Sequence, residues 1–96
     1  MRPSKALALH RVSILEAAAR YRARSVLVFG SAARGEDTEG SDLDLLVEMP
    51  ADTTLLDMVG LQDDLRATLG IHVDVVTAND LTERVRARVL REARPL

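Results

Sequence analysis

The sequence predicts an α/β fold in which a three-stranded mixed sheet is packed by helices, in the order α-β-β-α-β-α. Three short runs rich in valine and leucine are each bounded by glycine, proline or polar residues, as expected of strands. The segments around them carry apolar residues at helical spacing. With 96 residues, 47% of them hydrophobic, the chain is expected to form a single domain over residues 1–96.

The amino-terminal part predicts a helix followed by a buried strand. Apolar residues recur at helical spacing over residues 4–23, which indicates an amphipathic helix. The run Ser-Val-Leu-Val-Phe at 25–29 is short and apolar, and Gly30 stops it. A polar connection with two further glycines then occupies residues 31–41.

The second predicted strand carries carboxylates on one of its faces. Over residues 42–49, leucine and valine alternate with Asp42 and Asp44 at the start of the run. Because side chains two residues apart in a strand point the same way, both carboxylates project from one face.

The remaining elements are two helices and a third strand. Thr54 and Asp57 have the spacing of a capping box at a helix start, and Gly70 is a natural helix end. A third strand is predicted over residues 72–77, and the sequence Asp-Leu-Thr-Glu at 80–83 indicates the start of the last helix.

The composition excludes several classes of protein. No apolar run approaches the roughly 18 residues of a membrane span, and the absence of cysteine fits a reducing compartment, so we expect a cytoplasmic protein without membrane contact. Only Tyr21 and Phe29 are aromatic, which nearly excludes a base-stacking surface. The net charge of −2 argues against binding a duplex through a basic surface, so no direct nucleic acid binding is expected.

Charges are segregated along the chain. Residues 36–52 hold seven carboxylates and no lysine or arginine, whereas residues 84–94 hold five arginines and one glutamate. The acidic middle of the chain therefore predicts a cation site.

The end of the first strand predicts an anion site. A Gly30-Ser31 turn can aim backbone N–H groups and a hydroxyl at an anion, because glycine has no Cβ to block a close approach. Phosphate is the expected anion, and a short helix after the turn would add free N–H groups. Taken alone, however, such a turn is a common way to end a strand.

Three aspartates predict a divalent metal site. Asp42 and Asp44 lie about 6–7 Å apart along the strand, and such a pair stays ionised only beside a compensating cation, for which Mg²⁺ or Mn²⁺ is suited. Asp74 lies in an otherwise apolar strand, where an unpaired carboxylate would cost several kcal/mol. If the second and third strands are neighbours, the three carboxylates form one cluster able to hold two metals. Taken alone, an Asp-x-Asp pair is usually a solvated strand face.

The combined pattern resembles the DNA polymerase β-like nucleotidyltransferase superfamily. Its signature is Gly30-Ser31, then ten residues, then Asp42-x-Asp44. The longer string Gly-Ser-x-Ala-Arg-Gly-Glu…Ser-Asp-x-Asp-Leu is similar to the smallest branch, the minimal nucleotidyltransferases. The carboxyl-terminal Leu90-Arg-Glu-Ala93…Leu96 also resembles that branch, so a polymerase β-like core is expected.

The resemblance implies a role for each motif residue. Gly30 and Ser31 would bind the β- and γ-phosphates of a nucleoside triphosphate. Asp42 and Asp44 would hold divalent metals, while Asp74 would ligate the catalytic metal and activate the attacking hydroxyl. All three aspartates would thus be both catalytic residues and metal ligands.

Two further residues have open interpretations. Arg34 matches the loop arginine of the family as a nucleotide-binding residue, with a phosphate contact and a salt bridge to Glu36 or Asp37 as equal alternatives. His72 lies two residues before Asp74 on the same strand face and could touch the site, although a partly buried strand histidine is the favoured interpretation.

The resemblance also implies a function. It implies an antitoxin that transfers AMP from ATP to a tyrosine of a cognate HEPN (higher eukaryotes and prokaryotes nucleotide-binding) ribonuclease toxin, with Mg²⁺ or Mn²⁺ as cofactor. The small size of the chain leads us to expect that the partner presents the acceptor. Two alternatives stay open: an antitoxin that masks the toxin without catalysis, and a nucleotidyltransferase acting on a small molecule or an RNA end. The sequence offers no residues for the acceptor pocket that the last alternative needs.

Overall fold

A computed structural model, which describes residues 1–96, contains one four-stranded sheet. Strand β1 (Ser25–Phe29) pairs antiparallel with both β2 (Leu43–Glu48) and β4 (Arg94–Pro95), whereas β2 pairs parallel with β3 (Val73–Val76), giving the spatial order β3-β2-β1-β4. The predicted α/β class and mixed sheet are therefore confirmed.

The fourth strand corrects the expectation of three. β4 consists of two residues that pair with Val28 and Leu27 of β1. Such a short segment shows no alternation of apolar and polar residues, and Pro95 has no N–H to donate to a sheet. Only its pairing with a distant part of the chain makes it a strand.

Five α-helices accompany the sheet, together with a single 3₁₀ turn at Ala78–Asp80. None of these helices is both long enough and apolar enough to cross a bilayer. The helices are α1 (Pro3–Leu9), α2 (Arg11–Arg20), α3 (Ser31–Arg34), α4 (Leu55–Leu69) and α5 (Glu83–Glu92).

The single helix predicted over residues 4–23 is two helices in the structure. The chain leaves helical geometry at His10, whose φ is −115°. The break changes which residues face the interior: Val12 is 64% exposed, while Ile14, Ala17 and Ala18 are buried.

The helix boundaries follow from their caps. In the predicted capping box of α4, Asp57 N donates to Thr54 Oγ1 at 3.1 Å and Thr54 N donates to Asp57 Oδ2 at 2.9 Å. Gly70 ends this helix in the left-handed conformation, as expected. α5 begins later than predicted, because Thr82 is its cap, whereas Asp80 ends the 3₁₀ turn and accepts a hydrogen bond from Thr77 N at 3.0 Å.

The hydrophobic core lies between one face of the sheet and the helices α2 and α4. Leu43, Leu45 and Val47 of β2 point into it, as their alternation predicts. The opposite face of the same strands carries Asp44 and Asp74, so the core fixes the orientation of the carboxylates. The remaining core residues are Ile14, Ala17, Ala18, Val26, Val28, Leu61, Leu65, Leu69, Val73 and Val75.

Candidate functional site

The candidate site lies where β1 ends and where β2 and β3 begin. In the parallel pairing of β2 with β3, Asp44 is the direct partner of Asp74. In the antiparallel pairing of β2 with β1, Asp44 is the partner of Phe29, the residue before Gly30. The sheet therefore brings the acidic residues and the glycine turn to one edge.

Two of the predicted aspartates form a cluster with a histidine. Asp42, His72 and Asp74 each offer one ligand atom, and these atoms all lie within 4.8 Å of one another. Carboxylate oxygens suit Mg²⁺ and Mn²⁺, and imidazole is compatible with Mn²⁺. The donor set therefore fits a divalent metal, although the roles of these residues as ligands stay a prediction.

Asp44 lies beside this cluster and against the glycine turn. A Cβ atom built on Gly30 would overlap the Asp44 carboxylate, so the two residues are in close contact. Burial, followed by the charges of Asp74 and Asp42, raises the pKa of Asp44 to about 6. A cation beside the carboxylates would oppose the electrostatic part of this rise, which is a second reason why the site fits a metal.

Asp74 has partners within the chain. Its side chain is 43% exposed rather than buried, and its Oδ1 lies 3.4 Å from Nη2 of Arg66 and 3.0 Å from Nε2 of His72. Nε2 of His72 also lies 3.2 Å from Arg66 Nη2. Since a guanidinium can only donate, Nε2 serves either Asp74 as a donor or Arg66 as an acceptor.

These contacts correct two expectations. Apolar surroundings were expected for Asp74 because its neighbours are Val73 and Val75, but its side chain is partly exposed. The alternation of the strand turns Val73 into the core and Asp74 away from it. His72 is exposed and joins the acidic cluster, so the interpretation as a partly buried strand histidine is wrong.

The turn after β1 requires glycine for two reasons. Gly30 has a φ of 75° and a ψ of −154°, a region that other residues rarely adopt. Its missing Cβ also leaves room for the Asp44 carboxylate. Ser31 follows at once and opens α3, so a short helix does follow the turn.

Arg34 is held by two carboxylates. Its Nε donates to Glu36 Oε1 at 2.7 Å, and its Nη1 donates to Glu92 Oε2 at 3.1 Å. Of the two salt bridges considered, the one to Glu36 is therefore present, whereas Asp37 accepts a hydrogen bond from Ser4 N at 2.7 Å instead. The predicted contact of Arg34 with a phosphate stays a prediction.

Three residues at the site were not assigned from the sequence. The position of His72, two residues before Asp74, was the available signal for it. Arg66 on α4 gave none, because its contact with Asp74 depends on how the helix packs against β3. Glu92 accepts a hydrogen bond from Gly30 N at 2.9 Å, and its place in the carboxyl-terminal family motif was the sole hint.

The chain belongs to the nucleotidyltransferase domain family, whose pattern matches residues 13–96. It is an enzyme of the nucleotidyltransferase class. The recognition of a minimal nucleotidyltransferase from the sequence is confirmed, because a solved structure described as a minimal nucleotidyltransferase is 47% identical, with a TM-score of 0.86 over 97% of this chain and 95% of that one.

Relatives named as protein adenylyltransferases, and one toxin–antitoxin structure, are also similar to this chain. Protein adenylyltransferase MntA of Thermococcus cleftensis is 38% identical over 86 residues, 90% of this chain and 84% of the relative. A Methanocaldococcus jannaschii protein described as a protein adenylyltransferase is 46% identical over 66 residues, 69% of this chain and 71% of the relative. A crystal structure of a toxin–antitoxin with AMP-PNP shares the fold at 19% identity, with a TM-score of 0.77 over 88% of this chain and 69% of that one.

Proposed function

We propose that the protein is an antitoxin that transfers AMP from ATP to a tyrosine of a cognate HEPN ribonuclease toxin and thereby neutralises it. One observation carries the proposal: Gly30 of the turn lies against Asp44, so a triphosphate on the turn would extend toward the carboxylates. The 38% identity to a protein named as an adenylyltransferase, MntA, supports AMP transfer to a protein. An MntA is also part of a solved toxin–antitoxin pair, which supports a toxin as the acceptor.

The acidic residues would hold the metal that this reaction needs. Asp42, Asp44 and Asp74 supply carboxylate oxygens, the ligands that Mg²⁺ and Mn²⁺ prefer. When bound, the metal would supply positive charge that polarises the α-phosphate and offsets the charge of the leaving pyrophosphate.

The residues of the chain would orient the reactants and accept a proton. The turn at Gly30 and Ser31 holds the β- and γ-phosphates. The tyrosine oxygen then bonds to the α-phosphorus, while the bond from that phosphorus to the oxygen bridging to the β-phosphate breaks and pyrophosphate leaves with the electron pair. Asp74 takes the phenolic proton, and Arg66 and His72 hold its carboxylate in place.

Labelled ATP tests this proposal. The purified protein is incubated with Mg²⁺, the co-encoded toxin and ATP labelled at either its α- or its γ-phosphate. AMP transfer labels the toxin from the α-labelled nucleotide only, whereas a kinase would label it from the γ-labelled one. The double variant Asp42→Asn with Asp44→Asn is expected to transfer no label, while Asp63→Asn, which alters an exposed carboxylate on α4, serves as the matched control. Absence of label on the toxin with the unaltered protein would refute the proposal.

Neutralisation by masking is the second candidate, and exposed apolar side chains favour a protein contact. Leu55 and Leu56 at the start of α4 are 79% and 82% exposed. Val59 and Leu90, which line one groove together with Leu55, are exposed as well. If the double aspartate variant still protects cells from the toxin, masking is sufficient, and if protection is lost, catalysis is required.

A further inference from the structure

Glu92 reaches the phosphate-binding turn from the opposite end of the chain. This glutamate is the last residue of α5, 62 positions after Gly30, and its Oε1 accepts a hydrogen bond from Gly30 N at 2.9 Å. Its side chain is 20% exposed, so the carboxylate is largely withdrawn from solvent. That hydrogen bond is the main reason why the pKa of Glu92 lies below its ordinary value.

The register of the sheet explains why the two residues meet. In the antiparallel pairing of β1 with β4, Val28 is the partner of Arg94. β4 begins two residues after Glu92, so this pairing holds the end of α5 beside the end of β1. The β1–β4 pairing therefore keeps the Glu92 carboxylate within hydrogen-bond reach of Gly30 N–H.

Gly30 is consequently held from two sides. Its N–H is bound by Glu92, and its Cα lies against the carboxylate of Asp44. A shift of the glycine away from either neighbour would change the distance between the phosphate-binding turn and the acidic cluster. Since misplacement by about 1 Å can cost two orders of magnitude in rate, this distance matters for transfer.

Arg34 compensates the charge that Glu92 brings to this position. An unpaired carboxylate beside a triphosphate would repel it. The guanidinium contacts both oxygens of Glu92, at 3.3 and 3.1 Å, and also binds Glu36. The arginine therefore reduces the electrostatic repulsion between Glu92 and an anion bound at the turn.

We propose that Glu92 is a positioning residue that fixes the Gly30 turn against Asp44, and that Arg34 neutralises its charge so that phosphate can bind beside it. This inference rests on the proposed triphosphate site at the turn and is independent of which acceptor receives the nucleotide. It assigns the carboxyl-terminal end of the chain to nucleotide binding, in addition to the motif residues between β1 and β3.

Nucleotide affinity of Glu92 variants tests the inference. Calorimetry is used to measure ATP binding in the presence of Mg²⁺, and Mn²⁺ binding without nucleotide is measured in parallel. Glu92→Ala is expected to weaken ATP binding by roughly tenfold, the size of a lost charge-assisted hydrogen bond. Glu92→Gln keeps an oxygen for Gly30 N–H and is expected to stay within about threefold of the unaltered protein. Glu83→Ala, which removes an exposed carboxylate from the other end of α5, is the matched control.

The role of Arg34 is tested through a double variant. Arg34→Ala leaves the Glu92 charge uncompensated and is expected to weaken ATP binding. Adding Glu92→Gln removes that charge, so the double variant should bind ATP more tightly than Arg34→Ala alone. A purely structural role would instead weaken Mn²⁺ binding and lower the unfolding temperature in parallel with ATP affinity.

The outcomes separate this inference from the proposed function. If the unaltered protein binds no ATP, both are overturned. If it binds ATP and Glu92→Ala binds it equally well, the role of Glu92 is overturned and the proposed function stands. Failure of the Glu92→Gln change to improve on Arg34→Ala would overturn the compensating role of the arginine.

Discussion

Asp44 is paired with Asp74 across β2 and β3, on the face of the sheet that points away from the core. Burial and the charges of Asp74 and Asp42 together raise the pKa of Asp44 to about 6. Burial first, and like charges second, thus disfavour the ionised form of Asp44, as expected of a carboxylate arranged beside a cation.

Replacement of Asp44 should stabilise the metal-free protein. A group whose pKa is raised on folding contributes stability below its unfolded pKa, here near 3.8, and this contribution is lost as the pH rises through the folded value of about 6. At neutral pH, Asp44→Asn should therefore raise the unfolding temperature, because it removes the buried charge. Below about pH 4 the gain should vanish, since the aspartate is then protonated as well. An equal gain at both pH values, measured by thermal unfolding, would contradict this explanation.

Metal affinity should depend on pH in the same range. A cation must displace the proton from Asp44, so Mn²⁺ binding is expected to weaken as the pH falls through about 6. Titration of the nucleotide-free protein with Mn²⁺ at a series of pH values measures this dependence. In Asp44→Asn the affinity should be lower at every pH and the change near pH 6 should disappear. If the affinity of Asp44→Asn for Mn²⁺ still changed near pH 6, a group other than Asp44 would be responsible for the pH dependence.

The two glycines flanking α3 should respond differently to alanine. Gly30→Ala combines a strained backbone with a Cβ that overlaps Asp44, so it should abolish transfer and destabilise the fold. Gly35→Ala has a comparable φ of 73° but no neighbour within 4 Å, so it should cost only about 1–2 kcal/mol of stability and retain activity. Transfer assays and urea unfolding of both variants make the comparison. Equal loss of activity in the two would show that backbone strain, not the contact with Asp44, is responsible.

Asp74 and its neighbour His72 should contribute unequally to catalysis. Asp74→Asn removes a charge from both the metal site and the proton acceptor, so the rate of transfer should fall on the order of 10³-fold or more. His72→Gln retains a polar group beside Asp74 and should lower the rate by about tenfold. Single-turnover rates with saturating ATP provide the measurement. A larger loss in His72→Gln than in Asp74→Asn would reverse the two roles.

Most elements could be predicted because their signals are local. The capping pair Thr54 and Asp57 marks the start of α4, and alternation marks the buried face of β2. The break at His10 could not be predicted, since the helical spacing of apolar residues continues across it. β4 could not be predicted either, because two residues carry no periodicity.

By itself the sequence determined which residues form the motif and that Asp44 points away from the core, because turn chemistry and strand alternation act between near neighbours. Tertiary structure alone decided that Arg66 and His72 contact Asp74 and that Glu92 holds Gly30. The physical reason is that such contacts depend on which strands become neighbours and on the register between them. No local pattern specifies the contact that joins the end of β1 to a residue 62 positions later.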